Sequence, residues 1–136
     1  MSTIIYAVPP QGVSAAVISD NMEWNRAPAG PWQLYAAVNQ FYKKVVSKFD
    51  SAFCKNKVKV FLKINGSSEW KVIPYVTQNM GVPNSYDFYF MAYDNSGILP
   101  FPFAGFVPSL RILIFAKPNA PIDFHKKVSV KVIVYQ

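Results

Sequence analysis

From Lys57 onward, apolar side chains recur at every second position. Val58, Val60, Leu62 and Ile64 alternate with Lys57, Lys59, Phe61 and Lys63. Leu110, Ile112 and Ile114 alternate with Arg111, Leu113 and Phe115. The chain ends with Val128, Val130, Val132 and Val134 set against Lys127, Ser129, Lys131, Ile133 and Tyr135. Successive side chains of an extended strand point to opposite faces, so each set has one side of a sheet to itself. A helix, with its period of 3.6, does not sort these residues into two faces. The second half of the chain is therefore read as sheet.

Turn signals divide it into short strands. Asn65-Gly66 marks a tight turn, and Glu69 to Thr77 returns from it, with Pro74 indicating an edge or a bulge. Tyr86 to Tyr93 is a dense aromatic strand, followed by the turn Asp94-Asn95-Ser96-Gly97. Ser109 to Ala116 and Lys127 to Tyr135 complete this half. Before residue 57, Thr3 to Val8 and Val13 to Ser19 read as strands, separated by Pro9-Pro10, and Asp20 to Gly30 as a loop. That makes seven strands, with Gly97 to Val107 as an eighth.

One segment shows a different period. Leu34, Val38, Phe41, Tyr42, Val45, Val46 and Phe49 share one face at helical spacing. Pro31 suits a first helical turn, and Lys43, Lys44 and Lys48 suit its C-terminal end. The spacing predicts one main helix over residues 31–49, between the second and third strands. The expected fold is an all-β, jelly-roll-like antiparallel β-sandwich with that helix, in a single domain spanning residues 1–136.

The composition is rich in what builds cores and contacts and poor in what does chemistry. There are eleven Phe, eight Tyr, three Trp and eleven Pro, against one His, one Cys and seven acids. Catalysis and metal binding draw mainly on the scarce set. A metal site would need His125 and Cys54 to converge with a carboxylate, and nothing in their spacing suggests it. No Gly-rich phosphate loop or nucleophile elbow is present. Neither enzyme activity nor a cofactor or metal is expected. With one cysteine, no intrachain disulfide framework exists. Met1-Ser2-Thr3-Ile4-Ile5 lacks a charged leader region, so secretion by a signal peptide is not expected. No apolar stretch reaches membrane-spanning length.

Three features are candidates for contact. Lys55, Lys57, Lys59 and Lys63 share one strand face with Phe61, a cationic stripe suited to phosphate or an acidic surface. The same pattern also suits a solvated or aggregation-resistant outer strand. The net charge of +7 comes from twelve Lys and two Arg, and the scarcity of Arg argues against sequence-specific readout of nucleic acid. Ile98 to Pro108 is apolar but too rich in proline for the middle of a sheet. Its Leu99, Phe101, Phe103 and Phe106 form a candidate assembly contact, or fold over the core. Trp24 and Trp32 either stack on a ligand or cover the end of the sandwich.

The order of elements, two strands, a helix and then five or six strands in a compact basic domain, resembles the single jelly-roll capsid proteins of small icosahedral viruses. Lys in preference to Arg, many Tyr and Pro, and the lack of disulfides resemble virion proteins of archaeal viruses. The resemblance implies a structural subunit of a protein shell, with copies of itself or other virion proteins as partners. It places the chain in the virion or the host cytoplasm. Coat proteins of this kind often carry an Arg-rich N-terminal arm for the genome, whereas this chain begins at once with Thr3-Ile4-Ile5-Tyr6. The alternative is a non-catalytic binding module for nucleic acid or carbohydrate.

Overall fold

The computed structural model describes residues 3–6, 12–26, 30–39, 41, 49–63, 67–77, 81–99 and 105–136. Two antiparallel sheets pack face to face. The first holds β1 (Thr3–Tyr6), β2 (Val13–Met22), β11 (Val128–Tyr135), β5 (Val58–Lys63) and β6 (Trp70–Ile73), in that spatial order. The second holds β3 (Asn25–Arg26), β4 (Trp32–Val38), β10 (Leu110–Ala116) and β7 (Phe88–Asp94). A hairpin of β8 (Gly97–Leu99) and β9 (Gly105–Val107) stands apart from both. The fold is all-β, as the period of two requires.

The core lies between the sheets and follows the alternation. Val58, Val60 and Leu62 of β5 face inward beside Val128, Val130, Val132 and Val134 of β11. Ala15 and Val17 of β2 continue that layer. Opposite them lie Leu34 and Val38 of β4, Leu110, Ile112 and Ile114 of β10, and Phe88 and Phe90 of β7. β2 runs past its expected end at Ser19 because of a bulge. Asp20 and Asn21 together oppose Ser129, between the pairs Val130–Ser19 and Val128–Met22. Asn21 takes φ 57°, a left-handed conformation that Asn tolerates better than most residues. The bulge turns Met22 into the core.

The helix expected over residues 31–49 is corrected. Its first part is the strand β4, which pairs with β10 residue for residue from Trp32–Ala116 to Val38–Leu110. Leu34 and Val38 are four residues apart, which is one helical turn but also two full pleats of a strand. The seven-residue ladder and the β-prone Trp32, Tyr35 and Val38 decide for the strand. Residues 40 and 42–48 of the expected helix lie outside the described residues. Phe49 is buried and stacks on Phe41 at 5.2 Å.

A helix does occur, later and shorter. α1 (Ser51–Lys57) follows Asp50, whose side chain caps it by accepting from the Phe53 N–H at 2.8 Å. It ends at Val58, where β5 begins. Pro74 ends β6, and the chain beyond it meets the edge of β7 through a bridge from Tyr75 to Phe90. Among the described residues no helix is long and apolar enough to cross a membrane.

Candidate functional site

The two sheets turn different chemistries outward. On the four-stranded sheet the outward residues form three rows across β4, β10 and β7. Gln33, Phe115 and Tyr89 make one row, Tyr35, Leu113 and Met91 the next, and Ala37, Arg111 and Tyr93 the third. Tyr89 and Phe115 stack at 5.1 Å. Tyr35 is 52% exposed, and its hydroxyl donates to Gln33 Oε1 at 2.7 Å. Arg111 is the one charge in the nine. At 4.8 Å between strands and about 6.8 Å per residue pair, this grid covers roughly 300 Å². Aromatic residues, Met and Arg are the types enriched at the centres of protein interfaces. Burial pushes the Tyr89 hydroxyl above its ordinary pKa.

The β8–β9 hairpin follows directly on this sheet in the chain without joining its ladder. It leaves the β7–β10 ladder through a polar clamp at residues 95–96 and 108–109. The Ser109 N–H donates to Ser96 Oγ at 2.9 Å, and Ser109 Oγ donates to Asn39 Oδ1 at 2.5 Å. The Asn95 N–H donates to the Ser109 carbonyl, and Asp94 accepts from the Ser96 N–H, both at 2.8 Å. Beyond the clamp, Ile98 and Phe106 are paired across the hairpin and stand 77% and 46% exposed. Of the candidate assembly residues, Phe106 is thus on the surface and Leu99 lies in β8. Phe101 and Phe103 lie outside the described residues.

The outer face of the five-stranded sheet is cationic where β11, β5 and β6 meet, and apolar and largely covered along β2, where Ala16 and Ile18 face the same way. The four-lysine stripe divides. Lys55 and Lys57 occupy the last turn of α1, whereas Lys59 and Lys63 point outward from β5 with Phe61 between them. Neighbouring strands supply what the stripe lacked. Lys131 of β11 pairs with Phe61, and Trp70 of β6 pairs with Lys63. The Lys131 ammonium lies 4.8 Å from the Phe61 ring centre and 4.7 Å from that of Trp70, and Lys63 lies 5.1 Å from Trp70. Val72, opposite Phe61, is 56% exposed. Among the described residues no carboxylate pairs with Lys59, Lys63 or Lys131, and the one ion pair joins Lys127 to Glu23 at 3.8 Å. Asp20 lies in the same row as Lys63, one strand beyond Ser129, and its carboxylate is engaged by Ser129 Oγ, from which it accepts at 2.7 Å. Lys131 and Trp70 could not be placed beside Lys63 from sequence, because only the strand order makes them neighbours.

The remaining candidates sit elsewhere. Trp24 is buried, edge-on to Phe124 at 5.4 Å. Trp32 stacks on the same Phe124 at 4.6 Å, with the Arg26 guanidinium 5.7 Å from its ring centre. Both rings therefore help close one end of the sandwich. Cys54 is fully buried in the core. Burial first, then Asp50 and Asp94, push its thiol up to about 11, so it stays protonated at neutral pH. His125 is exposed in a turn, where its N–H donates to Asp123 Oδ1. Among the described residues no three of His, Cys, Asp and Glu converge. A groove of about 370 Å³ opens between the start of α1, Tyr75 to Thr77 and the outer edge of β7.

No family model, curated protein or solved structure matches the chain.

Proposed function

We propose that this chain is a structural assembly protein, most concretely a capsid or other virion subunit that builds a protein shell. The observation that carries this is the outer face of the four-stranded sheet, nine outward positions with one charge. Left in water, such a face wastes its aromatic area, whereas against another protein it forms the apolar centre of an interface. A standard interface buries about 800 Å² on each partner. The grid supplies roughly a third of that, so the contact must extend to its surroundings. The hairpin carrying Ile98 and Phe106 is the nearest extension, and Leu99, Phe101 and Phe103 belong to the same segment.

The topology supports the jelly-roll reading. The long strands β2, β4, β5 and β7 alternate between the two sheets in chain order, as they do in a jelly roll. The trios β2-β11-β5 and β4-β10-β7 face each other across the core. Partners in this reading are copies of the chain or other virion proteins, in the virion or the host cytoplasm. No catalytic role is part of this reading.

Sedimentation velocity tests the proposal. Leu113→Lys places a second cation at the centre of the grid, on a half-buried outward position. The wild type is expected to sediment as a large species and the variant as a folded monomer. A variant that assembles like the wild type would remove this face from the account.

A further inference from the structure

We infer that the outer face of the five-stranded sheet is a platform for single-stranded nucleic acid, with Phe61 and Trp70 as the stacking rings and Lys59, Lys63 and Lys131 as the phosphate contacts. The inference stands independently of assembly. Two rings lie outward on adjacent strands, displaced by one residue pair: Phe61 opposes Val72, and Trp70 opposes Lys63. Such diagonal neighbours sit about 7–8 Å apart. That spacing lets two successive unstacked bases each find a ring.

The charges on this face favour a polyanion over other occupants. Lys59, Lys63 and Lys131 have no ion-pair partner among the described residues. The ammonium of Lys131 rests on both rings and that of Lys63 on Trp70. Exposed contacts of this kind are weak, so a phosphate can draw the lysine aside and free the ring for a base. A second copy packed on this face about a two-fold axis would bring the same lysines against these, and like charges opposed across an interface are costly. Duplex nucleic acid keeps its bases stacked inside and would leave the rings idle. An acidic polypeptide would use the lysines alone. A single strand uses both parts, through backbone contacts to the cations and base stacking on the aromatics. Neither part reads base edges, so binding should be indifferent to sequence.

The test is fluorescence anisotropy of labelled oligo(dT) with the full chain, across a series of salt concentrations. Three phosphate contacts predict a log–log salt slope of about −2, and Lys131→Gln should reduce it by about 0.7. Trp70→Leu keeps apolar bulk but removes the stacking surface, and should weaken binding by about 5- to 150-fold, while Trp70→Phe should stay near wild type. Trp70 emission should be quenched on binding in the wild type. Lack of binding at low salt would overturn the inference. So would equal affinity for duplex DNA or polyglutamate with no effect of Trp70→Leu, since that outcome means charge alone. Circular dichroism of each variant confirms that its sheets are intact.

Discussion

Adjacent residues on β10 should lose very different amounts of stability on truncation to alanine. Ile114 is fully buried between Leu34 of β4 and Phe90 of β7, whereas Leu113 points outward between Tyr35 and Met91. Ile114→Ala removes three buried carbons. At about 0.8 kcal/mol each, the lost transfer energy is about 2.4 kcal/mol. An incompletely closed cavity adds roughly 1–2 kcal/mol. The neighbours here are strands locked by ladders on both sides, so little collapse is expected and the total should be about 3–4 kcal/mol. For 136 residues an unfolding entropy of about 2.1 cal/mol/K per residue turns 3 kcal/mol into a Tm loss of about 10 °C. Leu113→Ala on the isolated subunit should cost about 1 kcal/mol or less. Urea denaturation at protein concentrations low enough to keep the subunit monomeric measures both, with concentration independence as the control. A one-residue slip of register exchanges the faces of a strand. Equal losses at the two positions, or a larger loss at Leu113, would therefore refute the assigned register and with it both outer faces.

Asp50→Ala should cost about 1 kcal/mol by removing the cap of α1, with Asp50→Asn recovering most of it in thermal melts; an unchanged Tm would show that the cap is idle. The same variant removes one of the charges holding the Cys54 thiol up, so that thiol should titrate lower. Because the folded thiol is raised to about 11, its contribution to stability is complete below the unfolded pKa of about 8.5 and declines as pH rises toward 11, by up to about 1.4 kcal/mol per unit. The difference in stability between wild type and Cys54→Ala should narrow over that window, and parallel curves would contradict a protonated core thiol.

The most legible parts of the fold were the strands with one polar face. β5 and β11 set an unbroken row of Val or Leu against Lys59, Lys63, Ser129 and Lys131, with Phe61, Ile133 and Tyr135 as the exceptions, so periodicity alone sorts them. β10 and β7 carry apolar residues on both sides, as in Leu110-Arg111-Ile112-Leu113 and Phe88-Tyr89-Phe90-Met91. Their outer grid became visible only through pairing with β4. β4 carries a helical signal because Leu34 and Val38 satisfy both periods, and the exposed Tyr35 between them fits the strand. α1 is too short, at seven residues, to show a helical stripe, and Asp50 ahead of Ser51 is its one local signal, a cap. The cationic face was half legible. Lys59, Phe61 and Lys63 are local in sequence, but Lys131 and Trp70 arrive from strands whose neighbours no local pattern specifies.

Solution mass decides whether the chain assembles. Light scattering on the full chain, over a range of protein and salt concentrations, should give closed species many times the 15.3 kDa of one chain. Particles of one size that persist at high salt would fit contacts made by the aromatic face rather than by charge. A mass of 15.3 kDa at every concentration, with the outer face of the four-stranded sheet left in water, would contradict the account.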